Sequence, residues 1–574
     1  MKKFLENLSK TWKYEKANKK NLIHLIFLEL LIIVIRIIVP LLGAKRIIYL
    51  TNSLFYKLIF IAIVLLIVEI IYNICSYLAN NELQILYTES HKRMQIDLGK
   101  NILRFENDCL DKNGSGKFVQ RLTNDVGKIS DVFVSIVEYS SEIIKEIGIF
   151  IAIFIINKEI CLISMSLLLL KTYVEKTRTK KLNEKEKELR KSNDKISTFV
   201  SEMIRGARDI KMLNAEKGFI NKLSDDINYI NDEKYNKANL NMKYIVLRGF
   251  ISDVEDLILV LAIIYFIGIN RIDITLAIVI YNYFNNTGSL AFCIGSLLER
   301  IKDFNLSADR TFEIFDDNKY KKEIFGNKHL DKVKGNFEFK DVCFKYDKNE
   351  VLNNLSFNIK SNETVAFVGK SGSGKTTIFN LLCKMYNVDS GLITIDGIDV
   401  KELDKDSIRG NITIISQDPY IFNMSIIDNF KLIKNNVTFR EIKEACKISC
   451  LDDYIESLPD KYDTIIGEGG VNLSGGEKQR LAIARALVQN TKIILFDEAT
   501  SALDNETQQK ITEAINNMKK DYTILIIAHR LSTVINSDRI LYLENGHIEA
   551  EGTHKELLKK CDGYKKLYEK ELKK

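Results

Sequence analysis

Hydrophobic and polar residues follow two different patterns along this chain. Before residue 300, long apolar runs dominate. LIHLIFLELLIIVIRIIVPLL (22–42) and LFYKLIFIAIVLLIVEIIYNICSYL (54–78) are each long enough to cross about 30 Å of hydrocarbon at about 1.5 Å per helical residue. Two more runs, roughly 133–156 and 159–174, lie back to back around Asn157, Lys158 and Glu159. A last pair, roughly 247–269 and 273–298, flanks NRID (270–273). The pattern predicts six membrane-spanning helices. After about residue 335 the period shortens. GNFEFKDVCFKY (335–346) and VLNNLSFNI (351–359) alternate as half-buried strands do, and ETVAFVGKSGSGKTTIFNLLCKMY reads strand, glycine loop, helix. The expected fold class is α followed by α/β: a six-helix all-α transmembrane domain, then a P-loop NTPase domain.

The stretches between spans two and three (79–132) and four and five (175–246) are long, helical in pattern and crowded with lysine and arginine. Positive residues stay in the cytoplasm. Both loops and both ends of the membrane domain are therefore expected inside the cell membrane, with the N-terminus and the P-loop domain cytoplasmic. The net charge of +7 is spread among interleaved acidic residues, which fits a lipid bilayer as partner and speaks against nucleic acid. The basic first twenty residues precede an apolar run with no small-residue cleavage site. Nine cysteines form no CxxC pair, and Cys446 and Cys450, spaced to share a helix face, have no histidine nearby. Single buried thiols of a reducing cytosol are the expectation.

Ionisable residues interrupt the spans: Glu29 and Arg36, Glu69, then Glu142, Lys145 and Glu146, then Asp253, Glu255 and Asp256. Either they face a bundle interior or watery cavity along a substrate path, or the third and fifth helices extend below the bilayer and carry them into water. Glu29 and Arg36, seven apart, share a helix face.

The second half carries the chemistry. Gly369, Gly374, Lys375 and Thr376 satisfy G-x-x-x-x-G-K-[ST] between a strand and a helix. Gly369, Lys370, Ser371, Gly372, Ser373, Gly374, Lys375, Thr376 and Thr377 are expected to cradle phosphates, with Lys375 on the β- and γ-phosphates and the Thr376 hydroxyl on Mg²⁺. KIILFDEAT (492–500) ends a strand in Asp497, a metal partner, and Glu498, which is placed to orient the attacking water. YTILIIAHR (522–530) ends in His529, near enough in pattern to touch a γ-phosphate.

The ordered set Tyr346, GKSGSGKTT, Gln417 in ISQDPYIF, LSGGEKQR (473–480), ILFDEATSALD and AHR resembles the nucleotide-binding domain of ABC transporters. GKFVQRLTNDV (116–126) and SEMIRGARDIKMLNAE (201–216) resemble loops of the exporter type of that family. The resemblance implies domains at 1–20 (cytoplasmic segment), 21–303 (six-helix transmembrane domain with two long cytoplasmic loops), 304–334 (linker) and 335–574 (ATP-binding domain). It implies ATP and Mg²⁺ as cofactors, with Tyr346 stacking on adenine, Gln417 lining the metal and water, and Lys375, Gln417, Glu498 and His529 serving catalysis. Ser474, Gly475, Gly476, Gln479 and Asp504 would meet ATP held by another subunit, and Glu468 in GEGG (467–470) would contact the membrane-domain loops. One phosphate loop and one signature loop per chain imply a dimer: a homodimer, with a second half-transporter as the alternative partner. The implied function is an ATP-hydrolysing translocase exporting a drug, peptide or lipid-like substrate. An importer on the same fold and an ATP-gated channel are the alternatives. The acidic residues of spans three and five suit a cationic drug or peptide.

Overall fold

The computed structural model describes residues 2–285, 290–467, 470–498, 506–507, 509–511, 513, 522–527 and 534–572. The chain divides into two compact units, Met1–Arg104 with Asn113–Tyr320, and Phe105–Lys112 with Lys321–Lys574.

The first unit is helical. A short helix α1 (Lys2–Glu15) leads into α2 (Lys19–Thr51) and α3 (Phe55–Ile102). The small helix α4 (Asn107–Asn113) belongs mostly to the second unit. The first unit resumes through α5 (Val126–Ile156), α6 (Lys158–Arg205), α7 (Ala207–Met212), α8 (Glu216–Gly268), α9 (Ile274–Asn285) and α10 (Leu290–Phe312). Of the six spans expected, Lys2–Thr51 and α3 are the two among the described residues that qualify by length and apolar composition alone, with Ile274–Phe284 a shorter apolar helix. Large apolar side chains cover outward faces, with Phe60 68% and Leu66 61% exposed, as expected when the solvent is lipid.

The tight turns match their sequence. Asn157 caps α6 by accepting the N–H groups of Glu159 and Ile160, both at 2.9 Å, and Asp273 accepts that of Leu276 at 2.7 Å. The stretches expected as long cytoplasmic loops are mostly helical extensions of the spans, interrupted at 103–106 and Gly114 in the first and at Gly206 and 213–215 in the second. With 48 residues, α6 is about 72 Å long. Such a polar hairpin cannot rely on an apolar seam alone. Its two helices are joined by charge: Lys171 to Glu255, Lys185 to Glu233 at 3.0 Å, Lys237 to Glu186, and Arg178 to Asn241 at 2.9 Å.

In the first cytoplasmic stretch Arg121–Asp125 forms a π-helical turn. Arg121 is buried and donates to the Tyr320 hydroxyl at 2.9 Å, while the Ser307 hydroxyl donates to Asp125 at 2.9 Å. The exporter-like motif at 116–126 therefore ties the arm to the end of α10 and the residues after it.

Two sequence expectations need correction. Lys145, Glu146 and Glu255 are buried, so within this unit they are not simply wet. Cys450 lies beyond the helix Phe439–Ile448 that holds Cys446, with φ of 57°, so the two thiols share no helix face. The stretch expected as a linker, 304–334, is structured over much of its length. Helix α10 runs on to Phe312, and from Lys321 the chain belongs to the second unit, where Glu323 pairs with Arg409 and the Lys384 ammonium donates to the Ile324 carbonyl at 2.7 Å.

Twelve strands are described in the second unit: β1 (Phe337–Tyr346), β2 (Asn349–Ile359), β3 (Thr364–Gly369), β4 (Ser390–Ile395), β5 (Ile398–Asp399), β6 (Ile412–Ile415), β7 (Met424–Ser425), β8 (Ile465–Ile466), β9 (Ile493–Asp497), β10 (Thr523–Ile527), β11 (Arg539–Glu544) and β12 (His547–Gly552). Among the described residues the main sheet has the order β12-β11-β3-β10-β9-β6, and β2-β1-β4-β5 forms a second, antiparallel sheet. The register from β11 to β6 is parallel. TVAFVG and IILFD are buried almost throughout, because a parallel strand inside an α/β layer has no wet face.

Candidate functional site: a phosphate loop, its carboxylates and a signature helix

The parallel strands end together, and their ends carry the charged groups. From β3 the chain turns through Gly369–Gly374 into α11 (Lys375–Leu382). Gly374 sits at φ +98°, and a Cβ there would lie 2.6 Å from Leu352. A Cβ on Gly369 would lie 2.2 Å from the Leu543 carbonyl oxygen. Only glycine fits either place. The Lys375 side chain is buried, and its ammonium donates to the carbonyls of Gly369 and Lys370, both at 2.9 Å. Burial pulls its pKa down, opposed by the nearby charges of Glu498 and Asp497. The Ser373 hydroxyl is buried inside the loop with no hydrogen-bond partner among the described residues. An orphaned donor, ringed by backbone that admits no side chain, fits a phosphate oxygen.

Asp497, the last residue of β9, is buried, and the Thr376 hydroxyl stands 3.4 Å from its carboxylate. Adjacent oxygens of an octahedral Mg²⁺ shell lie about 3 Å apart, so this pair fits the ion. Glu498 follows at φ +50°, an uncommon conformation for a non-glycine residue, and its N–H donates to Ile527 at 2.9 Å across to β10. The sequence expected Lys375, Thr376, Asp497 and Glu498 to work together, and the fold brings them together.

Gln417 lies just beyond β6, exposed. Its carbonyl accepts from the amide of Gln479 at 3.2 Å. Gln479 is buried, so its side chain ties the signature helix to the Gln417 loop instead of standing free for a ligand. That helix is α12 (Gly475–Gln489). Ser474 caps it in a reciprocal box: its hydroxyl accepts the Glu477 N–H at 3.3 Å, and Glu477 accepts the Ser474 N–H at 2.7 Å. Gly475 and Gly476 are the first two residues of the helix, where N–H groups lack intrahelical partners. Ala482, Ile483 and Ala486 of α12 pack with Ile415 of β6. Because β3, β10, β9 and β6 are successive neighbours, the phosphate-loop strand lies about 14 Å from β6 across the sheet.

Tyr346 ends β1 half-buried, packed edge-on against Phe344 and Tyr386 with ring centroids 4.8 and 5.2 Å away. The Asn380 amide reaches its hydroxyl at 3.5 Å. Lys370 turns its side chain to Glu544 at 2.7 Å, leaving only its backbone to the loop; Ser371 and Thr376 are exposed, and Thr377 is buried. Glu468, Asp504 and His529 lie outside the described residues.

Sequence reasoning missed the neighbours of Tyr346. Asp111 of α4 accepts from the Tyr386 hydroxyl at 3.3 Å, Lys112 meets Asp347 at 2.6 Å, and Glu106 accepts from Asn387 at 3.2 Å. Burial pushes the Tyr386 phenol up to about 12, with Asp111 adding to it. These partners are over two hundred residues apart in sequence, beyond any local pattern.

Comparison with known proteins agrees with this geometry. Residues 22–287 match the ABC transporter transmembrane region and residues 352–501 match the ABC transporter family. ABC transporter B family member 1 of Dictyostelium discoideum is 36% identical over 84% of this chain, which spans about half of that protein (53%). The ATP-dependent lipid A-core flippase of Haemophilus influenzae is 31% identical over 83% of this chain and 81% of its own length. A solved structure of a bacterial Atm1-family ABC exporter with ATP bound shares the fold, with a TM-score of 0.81 and 22% identity over 96% of this chain and 98% of that one. The chain belongs to the ABC transporter family, with the membrane and ATP-binding regions fused in one polypeptide. It is a multi-pass membrane protein of the exporter half-transporter type, an ATP hydrolase coupled to transport.

Proposed function

We propose that two copies of this chain form a homodimer with two composite ATP sites, and that ATP-driven closure of those sites exports an amphipathic substrate. The observation that carries this reading is the separation of complementary parts within one chain. The phosphate loop follows β3, while the signature helix packs on β6 and β9, and β6 lies about 14 Å from β3 across the sheet. A second subunit supplies the missing half of each site.

In this reading Tyr346 offers its ring to adenine, and Gly369–Thr377 wraps the phosphates. Lys375 exchanges its two backbone carbonyl partners for phosphate oxygens. Thr376, Asp497 and Gln417 would hold Mg²⁺, which supplies charge neutralisation at the β- and γ-phosphates. Glu498 orients the attacking water, and His529 steadies the γ-phosphate. Ser474 of the partner subunit and its two following glycines close the site, with Asp504 at the same junction. ATP drives the change because it binds the closed dimer more tightly than the open one. The basic cytoplasmic stretches support a cytoplasmic N-terminus and ATP-binding domain. Relatives described as a lipid A-core flippase and a putative multidrug export protein support an amphipathic substrate.

The test is ATPase activity of this chain alone, purified into lipid discs, beside Glu498→Gln. Activity that falls about 10²–10⁴-fold in the variant, with ATP binding retained, is the expected outcome. A folded but inactive wild type that gains activity only with a second half-transporter would overturn the homodimer.

A further inference from the structure

Helices α2 and α3 present matched faces to each other. On α2 these are Arg36, Val39, Gly43 and Arg46, at helical spacing; on α3 they are Ala62, Leu65, Glu69 and Tyr72. Two cavities open along this seam. One, of about 200 Å³, is lined by Arg36, Glu69, Tyr72 and, from α5, Lys145. The other, of about 370 Å³, is lined by Gly43, Arg46, Leu66 and Glu69. Glu69 belongs to both.

The charges are unevenly matched. The Arg36 guanidinium donates to the Tyr72 hydroxyl at 2.6 Å, but its carboxylate partner, Glu142, is 3.5 Å away and is also held by Lys145. Both cations thus draw on Glu142, Glu29 on the same face of α2 adds its charge near Arg36, and the Arg36 side chain stays 42% exposed. Across the same cavity Glu69 is exposed and pairs with none of the described residues. Charges at membrane depth are costly when left to hydrocarbon. A cavity lined by two cationic side chains and an exposed carboxylate is complementary to a ligand carrying both signs.

We propose that this seam binds the headgroup of a zwitterionic amphipath. The anionic group sits against Arg36 and Lys145, the ammonium against Glu69, and the apolar tail over the exposed Ile38, Leu41, Leu66 and Ile70. From Arg36 to Arg46 the seam runs about 15 Å, half the hydrocarbon thickness. Glu69 stands between the two arginines as a shared foothold for the ammonium. This deepens the export reading and rests on it for its purpose, though the binding itself needs no ATP. It also replaces the cationic ligand suggested by the acidic residues of the later spans.

The experiment measures binding to the detergent-purified full chain, without nucleotide, by native mass spectrometry. The probes are lysophosphatidylethanolamine, lysophosphatidate, dodecyltrimethylammonium and tail-free phosphoethanolamine. The wild type is expected to prefer the zwitterionic lysolipid by about tenfold over either singly charged probe. Arg36→Gln should move the preference toward dodecyltrimethylammonium, Glu69→Gln toward lysophosphatidate, and Arg36→Lys should keep the wild-type order. An order unchanged by both Gln variants, or a wild type that favours the cation, overturns the proposal. Phosphoethanolamine binding as tightly as the lysolipid overturns the amphipath in favour of a water-soluble zwitterion. If Arg36→Gln does not fold, Glu69→Gln carries the test, because a structural role for an exposed carboxylate gives no gain for the anion. ATPase activity of the same samples separates the two readings. Intact ATPase without selectivity removes only the seam, whereas selectivity without ATPase removes only the homodimer reading.

Discussion

The Lys112 ammonium lies 2.6 Å from the carboxylate of Asp347, the residue directly after Tyr346. With Asp111 on Tyr386, and Tyr386 edge-on to Tyr346, a helix drawn from the membrane half's first loop borders the ring expected to stack on adenine. The pair is solvent-exposed on both sides, so its strength is modest. Lys112→Asp is expected to raise the half-saturating ATP concentration by less than about fivefold, and adding Asp347→Lys should restore it. ATP titrations of ATPase activity across this double-mutant cycle measure the coupling, which should fade at high salt.

Gly374→Ala tests the phosphate loop as a conformational requirement. The substitution places a methyl group 2.6 Å from Leu352 at φ +98°. It should cost about 1–3 kcal/mol of stability and abolish ATP binding. Thermal unfolding with and without ATP measures both; a variant still stabilised by ATP would count against the cradle.

Ser474 has two proposed roles, and two substitutions separate them. Ser474→Ala removes the cap of α12 and should cost about 1 kcal/mol as well as ATPase activity. Ser474→Asn keeps a capping oxygen, so its Tm should stay near the wild-type value while ATPase still falls. Activity retained by the Asn variant would leave Ser474 as a cap alone.

His329 and Asp404 make a pH-dependent tether, with Nδ1 2.7 Å from the carboxylate. Hydrogen bonding to Asp404 raises the His329 pKa, so its contribution is full below the unfolded value of about 6.5 and is lost as pH rises through the folded one. Asp404 is lowered to about 2, chiefly by hydrogen bonds from Ser407 and His329. Its contribution is present above about 4 and is lost as pH falls toward 2. The Tm difference between wild type and His329→Ala should therefore be largest between about pH 4 and 6.5 and decline as pH rises above that range. A difference independent of pH would refute the charge pairing.

Local pattern carried much of this protein. Spans α2 and α3, the Asn157 turn, the strand–loop–helix around Lys375 and the capping box at Ser474 all follow from spacing over a few residues, because helix period, strand alternation and capping are short-range physics. The same pattern marked Arg36 and Glu69 as out of place in apolar runs. What faces them was decided by tertiary structure alone. The packing of α2 against α3 and α5 set Arg36 beside Tyr72 and a shared Glu142, across from Glu69. Packing likewise buried Lys145 and Glu146, turned Gln479 inward to the Gln417 loop and carried Lys112 to Asp347. Each of these contacts joins residues well separated in sequence or selects one face of a helix over another. Chain periodicity says which residues share a face; only the packed fold says what that face meets.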